Sequence, residues 1–294
     1  MICEAKGLGM TPRDVIWKAG KHRLDLEGRG MIMGILNVTP DSFSDGGQFD
    51  SLEAALLHAH EMIAEGAEII DVGGESTRPG AAPVGEEEEL RRTVPVIEQL
   101  RAKWKGLISI DTTKAAVAER AVAAGADIVN DISGLRGDER MAQVCRESAV
   151  GVVVMHMQGE PRTMQANPRY DDVIEDVRAF FEERFATLTA FGIAPEQLCF
   201  DPGIGFGKTM AHNLTLLAEL PRLIVNERPL LIGLSRKSFI AKVLGTDSAD
   251  PEEWPTVALT AATRAKGALI HRVHAVRENC EALRMMEAVL GAKG

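Results

Sequence analysis

Eight short apolar runs, each followed by a segment of helical periodicity, predict a TIM-type (β/α)8 barrel for this chain of 294 residues. Two further observations point the same way. The runs are continuously apolar, as parallel strands buried on both faces are. Polar and charged residues gather where the runs end, whereas Gly and Ala mark where they begin. A doubly wound open sheet is the alternative, but it usually shows fewer strands and a Gly-rich first turn. A single domain over 1–294 is expected, with the barrel proper at about 30–291.

The first element lies outside the barrel. Residues 15–29 (VIWKAGKHRLDLEGR) suit a β-hairpin around Ala19-Gly20 that covers the N-terminal mouth. Strands are then expected at 31–36, 67–72, 107–110, 127–130, 150–155, 198–201, 229–234 and 269–273. Helices are expected between and after them, at 51–65, 86–103, 114–124, 138–147, 171–191, 211–224, 255–266 and 276–290. Ser51 stands where it could cap the first helix, with Glu53 in its first turn. The acidic run Glu86–Glu89 opens the second, where negative charge suits the helix dipole. Gly66, Gly125, Gly192 and Gly267 each sit where a helix should stop before a strand.

Composition narrows the function. Apolar residues make up 45% of the chain and aromatics only 4%, so the core is aliphatic. A formal net charge of −10 argues against a general nucleic-acid or membrane-surface binder. It leaves room for an anionic ligand held by a few converging cations. Cys3, Cys145, Cys199 and Cys280 are far apart and form no CxxC pair, which suits free thiols in a reducing cytoplasm. The first 15 residues lack an apolar signal core, and no 18-residue apolar run exists, so a cytoplasmic location without a membrane span is expected. Gly203–Thr209 (GIGFGKT) imitates a phosphate loop, but Pro202 stands where the first glycine of that motif belongs. His58 and His60, two apart on a helix, share no face.

The strand ends carry the chemistry. Asn37 follows the first, Asp71 and then GGESTRPG the second, Asp111 the third, Asn130-Asp131 the fourth, His156 the fifth, Asp201 the sixth, Ser235-Arg236-Lys237-Ser238 the seventh, and Arg272 and His274 the eighth. The segments 37–50 and 73–85 are longer than ordinary βα loops and read as binding loops. Asp111, Asn130 and Asp201 would converge near the barrel axis, where buried carboxylates need donors. A guanine or pterin ring supplies such N–H groups. Arg78, Lys237, Arg272 and His274 would form a cationic rim suited to phosphate. A phosphate-bearing heterocycle is the natural ligand; the spacing does not fix which one. His156 reads equally well as a buried, hydrogen-bonded group or as a functional one.

These segments also resemble a known family. NVTPDSFSDGG (37–47), IIDVGGESTRPG (69–80), SIDTTK (109–114), NDISG (130–134), HMQGEPRTMQ (156–165), DPGIGFGKT (201–209), GLSRKS (233–238) and RVH (272–274) look like the motifs of the dihydropteroate synthases, in family order. That resemblance implies a homodimeric TIM-barrel transferase of folate biosynthesis, inhibited by sulfonamides, in which 4-aminobenzoate displaces diphosphate from 6-hydroxymethyl-7,8-dihydropterin diphosphate. It implies that Asp111, Asn130, Asp201, Lys237 and Arg272 hold the pterin, and that Asn37, Arg78, Arg272 and His274 bind diphosphate. It further implies that Asn37 contacts Mg²⁺, that Phe43, Thr77, Pro79, Phe206 and Ser238 shape the aminobenzoate pocket, and that Asp45 stabilises a cationic intermediate. Asp45, Lys237 and Arg78 are the expected catalytic groups. Asp71 is expected to brace the loop and Asp131 to be structural. Ala275 departs from the family, which usually has Asp there. Two competing classes share the barrel: a methyltetrahydrofolate-dependent corrinoid methyltransferase, which would not need STRPG or SRKS, and a pterin-binding paralogue without activity, which would be expected to lose Lys237, Arg78 or Asn37.

Overall fold

The computed structural model describes residues 15–26, 28–38, 48–76, 82–246 and 253–292. It opens with the expected hairpin, β1 (Ile16–Ala19) against β2 (His22–Asp25), turning at Gly20 with φ of +58°. Eight parallel strands follow: β3 (Met31–Asn37), β4 (Ile69–Gly73), β5 (Leu107–Asp111), β6 (Ile128–Asp131), β7 (Gly151–Met155), β8 (Leu198–Asp201), β9 (Leu231–Gly233) and β10 (Ile270–Val273). Their spatial order is β8-β7-β6-β5-β4-β3-β10-β9. A parallel bridge between Phe200 and Leu230 brings the two ends together and closes the barrel.

The strands are apolar throughout because each face is covered. One set of side chains, including Ile32, Ile70, Ile108, Val129, Val152 and Phe200, packs outward under the helices. The alternate set, Met33, Ile69, Leu107, Ile128, Val153, Cys199, Leu231 and Ile270, fills the lower barrel interior. Trp17, Ala19 and Leu26 join that inner cluster, so the hairpin plugs the N-terminal mouth. Trp17 is fully buried, and its indole Nε1 donates to the Gln197 carbonyl at 2.8 Å. Trp17→Ala is expected to cost about 3–5 kcal/mol of stability. Urea unfolding would check this, and ligand affinity at the opposite mouth should stay within a factor of about two.

The helices are α1 (Gln48–Glu65), α2 (Glu86–Lys103), α3 (Ala115–Ala124), α4 (Met141–Ser148), α5 (Val173–Phe191), α6 (Met210–Ala218), α7 (Ser238–Leu244), α8 (Glu253–Ala265) and α9 (Val276–Gly291). Several details differ from expectation. The first helix begins at Gln48, so Ser51 lies inside it and is not its cap. The segment 211–224 is not one helix: α6 stops at Ala218 and a 3₁₀ turn takes over at Leu220–Leu223. Pro221 accounts for the break, since it has no N–H to continue the ladder. The fourth helix starts at Met141 rather than 138, because Asp138 is used by the backbone: its carboxylate accepts from Ala115 N and Arg140 N, both at 2.9 Å. The short α7 lies in a stretch where the sequence predicts no helix. Glycines end α3 and α5 in the left-handed conformation, as anticipated at Gly125 and Gly192. Cys145, Cys199 and Cys280 are buried free thiols.

Candidate functional site

Strand periodicity builds the site directly on the core. Two residues beyond the inward-facing Ile69, Ile128, Cys199 and Ile270 come Asp71, Asn130, Asp201 and Arg272, on the same face. Register aligns Asn37 with Gly73, Gly73 with Asp111, and Asp111 with Asn130 across four neighbouring strands. The upper barrel thus exchanges its aliphatic lining for carboxylates, an amide and a guanidinium.

Those groups form one network. Arg272 Nε donates to Asp71 Oδ2 at 2.6 Å, and Arg272 Nη2 to Asp111 Oδ2 at 2.7 Å. Asn130 Nδ2 donates to the same Asp71 oxygen at 3.1 Å. Asp71 is wholly buried, and its Oδ1 has no hydrogen-bond partner. Asp71 therefore braces Arg272 and Asn130, two expected pterin contacts, rather than the loop that follows it. Asp201 Oδ1 accepts from Gly203 N at 2.7 Å. Lys237 Nζ lies 4.0 Å from the centre of the Phe206 ring, a cation–π contact.

Burial shapes the charges. It pushes Asp111 up to about 7, with Arg272 opposing and Asp71 adding to the rise. It pushes Asp201 up to about 6, against the Gly203 hydrogen bond and nearby Lys237. Lys237 is pushed down to about 8 by burial and by Arg272, with Asp201 and Asp111 opposing. Burial works against Arg272 as well, but Asp71 and Asp111 outweigh it and raise its pKa. Opposed charges in one cleft with displaced pKa values mark a functional site.

The rim adds further groups. His274 Nδ1 lies 2.9 Å from Ser235 Oγ, which also accepts from His274 N at 3.3 Å. This fixes the imidazole with Nε2 on its far side. Ser238 begins α7 and is exposed. Phe206 packs with Ile132, Met155, Met157 and Met164 in a small apolar cluster at this end of the barrel. Asp111 and Ile132 also line a cavity of about 920 Å³ that extends toward His156 and Tyr170. Asp45, Phe43, Thr77, Arg78 and Pro79 lie outside the described residues.

Several groups support the site without a role that the sequence assigns them: Ile132, Met155 and Ser235 are among them, as is Lys114. Its Nζ lies 2.5 Å from Glu75 Oε2 and also pairs with buried Glu89. Glu89 is thus more than a dipole-facing charge. Glu75 Oε1 accepts from Val84 N at 3.2 Å, closing the neck of the 73–85 segment. Asp131 is structural as expected, accepting from Ser133 N at 2.7 Å and Leu135 N at 3.2 Å. His156 is the buried, hydrogen-bonded group of the two readings, with Nδ1 3.0 Å from Lys208 Nζ. Ala275 is the N-cap residue of α9 and offers no capping side chain, while Asn279 Nδ2 donates to its carbonyl at 2.7 Å.

Comparison with known proteins places this site in context. A family profile described as pterin binding enzyme matches residues 33–274. Dihydropteroate synthase of Escherichia coli K12 is 49% identical over 264 residues, which is 89% of this chain and 92% of that protein. The structure of Xanthomonas albilineans dihydropteroate synthase with 4-aminobenzoic acid is 43% identical, covers 95% of this chain and 99% of its own, and superposes with a TM-score of 0.88. The Burkholderia cenocepacia dihydropteroate synthase complexed with 7,8-dihydropteroate is 42% identical, covers 95% and 97%, and gives 0.86.

Proposed function

Since the chain belongs to the dihydropteroate synthase family of pterin-binding enzymes, we propose a division of labour among its residues for that family's reaction. The reaction condenses 4-aminobenzoate with 6-hydroxymethyl-7,8-dihydropterin diphosphate, giving 7,8-dihydropteroate and diphosphate. The observation that carries the division is the row of Asp111 and Asn130, with Asp201 and Arg272, directly above an aliphatic barrel floor.

Asp111, Asn130 and Asp201 bind the pterin edge. Arg272 occupies one oxygen of Asp111, leaving the other for ring N–H groups. Asn130, with its amide nitrogen committed to Asp71, presents its carbonyl oxygen as an acceptor. Arg272 and Lys237 lie beside the ring, and Lys237 reaches toward the reacting methylene. Asn37, Arg78, Arg272 and His274 take the diphosphate, with the Ser235-oriented imidazole aimed at it. The carbon–oxygen bond breaks with its electron pair leaving on diphosphate. The aniline nitrogen lone pair attacks the methylene carbon, and its surplus proton passes to solvent. Asp45 stabilises the cationic carbon, and Phe43, Thr77, Pro79, Phe206 and Ser238 enclose the amine. Positioning and stabilised charge supply the rate without a covalent nucleophile.

Asn37 fits a magnesium ion carried by the substrate. Its amide offers one neutral oxygen, and among the described residues no cluster of three or more His, Cys, Asp or Glu could form a protein cage. Mg²⁺ commonly takes few protein ligands and completes its shell with phosphate oxygens and water. Bound there, it would neutralise charge on the leaving diphosphate.

A homodimer in the cytoplasm, with the chain as one domain, completes the reading. Trp254, Met285 and Val289 on α8 and α9 are 71%, 66% and 55% exposed and suit a self-association face. Among the described residues no helix is long and apolar enough to cross a membrane. The test is product formation by purified protein with Mg²⁺ and both substrates. Dihydropteroate and diphosphate should appear in equal amounts. Pterin binding without turnover would reject the reading and favour an inactive binding paralogue.

A further inference from the structure

The GIGFGKT segment fails as a phosphate loop, yet its lysine is buried beside the site. Lys208 is 3% exposed. Its Nζ donates to the carbonyl oxygens of Phe206 at 3.0 Å, Gly203 at 3.1 Å and His156 at 3.3 Å, and lies 3.0 Å from His156 Nδ1. These four partners are all acceptors once the imidazole proton sits on Nε2, so the three N–H groups of an ammonium are shared among them. Burial and the adjacent Lys208 charge push His156 down to about 2, so the imidazole stays neutral and able to accept, while burial pushes Lys208 itself down to about 7 with Asp201 opposing.

The same tie holds two loops in close contact. Gly203 and Gly207 have φ of +63° and +62°. A Cβ at Gly203 would lie 2.0 Å from the His156 carbonyl oxygen, and one at Gly207 2.3 Å from that of Gln158. The loop after β8 is thus pressed onto the loop after β7, with Lys208 bridging them underneath. Its other side faces the site. Phe206 meets Lys237 there at 4.0 Å, and a Cβ at Gly205 would lie 3.3 Å from Lys237 Cδ.

We propose that Lys208 is a positioning residue: it fixes the 203–207 loop so that Phe206 and Lys237 face each other at the spacing the aminobenzoate pocket needs. This rests on the functional reading given above, in which Phe206 walls that pocket. The geometry weights the two substrates unequally: of the pterin groups, the loop touches Asp201 through Gly203 N and Lys237 through Phe206. The Arg272–Asp71–Asn130 network is held by its own hydrogen bonds, none of them from Lys208, whereas the Phe206 carbonyl is bonded to it.

Lys208→Met keeps most of the length of the side chain and removes all of its hydrogen bonds. It is expected to raise KM for 4-aminobenzoate at least about tenfold, and KM for the pterin diphosphate by a clearly smaller factor, since most of the pterin groups are held independently of it. Combining it with Phe206→Leu should add no more than about twofold to the effect of Phe206→Leu alone, because both changes disable one device. Equal loss on both substrates, or multiplicative effects in the double variant, would overturn the proposal. If Lys208→Met does not fold, Lys208→Gln replaces it, retaining a shorter donor and an intermediate KM. An unchanged aminobenzoate KM in that variant would equally overturn it. Wild-type protein is the control: failure of the wild type to form dihydropteroate rejects the functional reading, whereas an active wild type with an unaffected Lys208 variant rejects this proposal alone.

Discussion

Lys237→Ala is expected to lower kcat/KM by about three orders of magnitude, equivalent to about 4 kcal/mol of transition-state stabilisation. The side chain stands at the start of α7 on a loop reaching over the barrel mouth, with its ammonium against Phe206 and within the field of Asp201, Asp111 and Arg272. On the proposed division of labour, truncation removes the pterin's cationic neighbour and one wall of the aminobenzoate pocket together. It also leaves the carboxylates of the site with Arg272 as their principal neutralising partner. Steady-state kinetics on both substrates measures the loss. Activity within tenfold of wild type would sink the assignment. The pH profile supplies an independent mark. With Lys237 pushed down to about 8, its charged form, and the function that needs it, is lost as pH rises through that value. On the same proposal, Asp111 and Asp201, pushed up to about 7 and about 6, must be ionised to accept from the ring. Pterin affinity should therefore fall as pH drops through that window. Lys237→Arg should retain the acidic limb and lose the basic one, because guanidinium stays charged.

What could be read in the sequence depended on whether the signal was local. The barrel strands were legible because a continuous apolar run ending in a single polar residue suits a buried parallel strand and little else. Asp111, Asn130 and Asp201 could be placed near the axis because each sits at the end of such a run. The orientation of Asp71 was not legible. In IIDVG both faces of the strand are buried, so apolar neighbours do not tell inside from outside. Its partners come from β6 and β10, 59 and 201 residues away. The orienting role of Ser235, visible only as a strand-end residue, was opaque for the same reason, since the His274 it orients lies 39 residues on. Helix α7 was hidden because seven residues with two buried side chains, Phe239 and Ile240, show little periodicity. Lys208 was legible as an oddity within a failed motif, but its burial depends on carbonyls supplied by a turn whose shape the sequence does not announce.

Asp71→Ala should show that a side chain with no exposed surface governs substrate binding. Arg272 is only partly buried, so water softens the loss, yet removing one member of a largely buried ion pair still costs about 3 kcal/mol. The Asn130 amide loses its acceptor at the same time, which frees it to rotate away from the ring. Pterin affinity should fall about a hundredfold, read by calorimetry with a non-hydrolysable pterin. Asp71→Asn should be milder, since an amide oxygen still accepts from Arg272 but no longer carries charge. A charge argument distinguishes positioning from general damage. Asp71 is one of the groups that raise Asp111. Removing its charge in Asp71→Asn should lower that pKa, so pterin binding should persist to lower pH than in wild type even as its maximum affinity drops. A double cycle with Arg272→Ala should then be strongly non-additive, because the two residues act as one hydrogen-bonded unit. Additive losses with an unmoved acidic limb would mean that Asp71 merely fills the barrel. Its orphaned Oδ1 would then be a cost of packing rather than a consequence of aiming Oδ2 at two groups proposed to bind substrate.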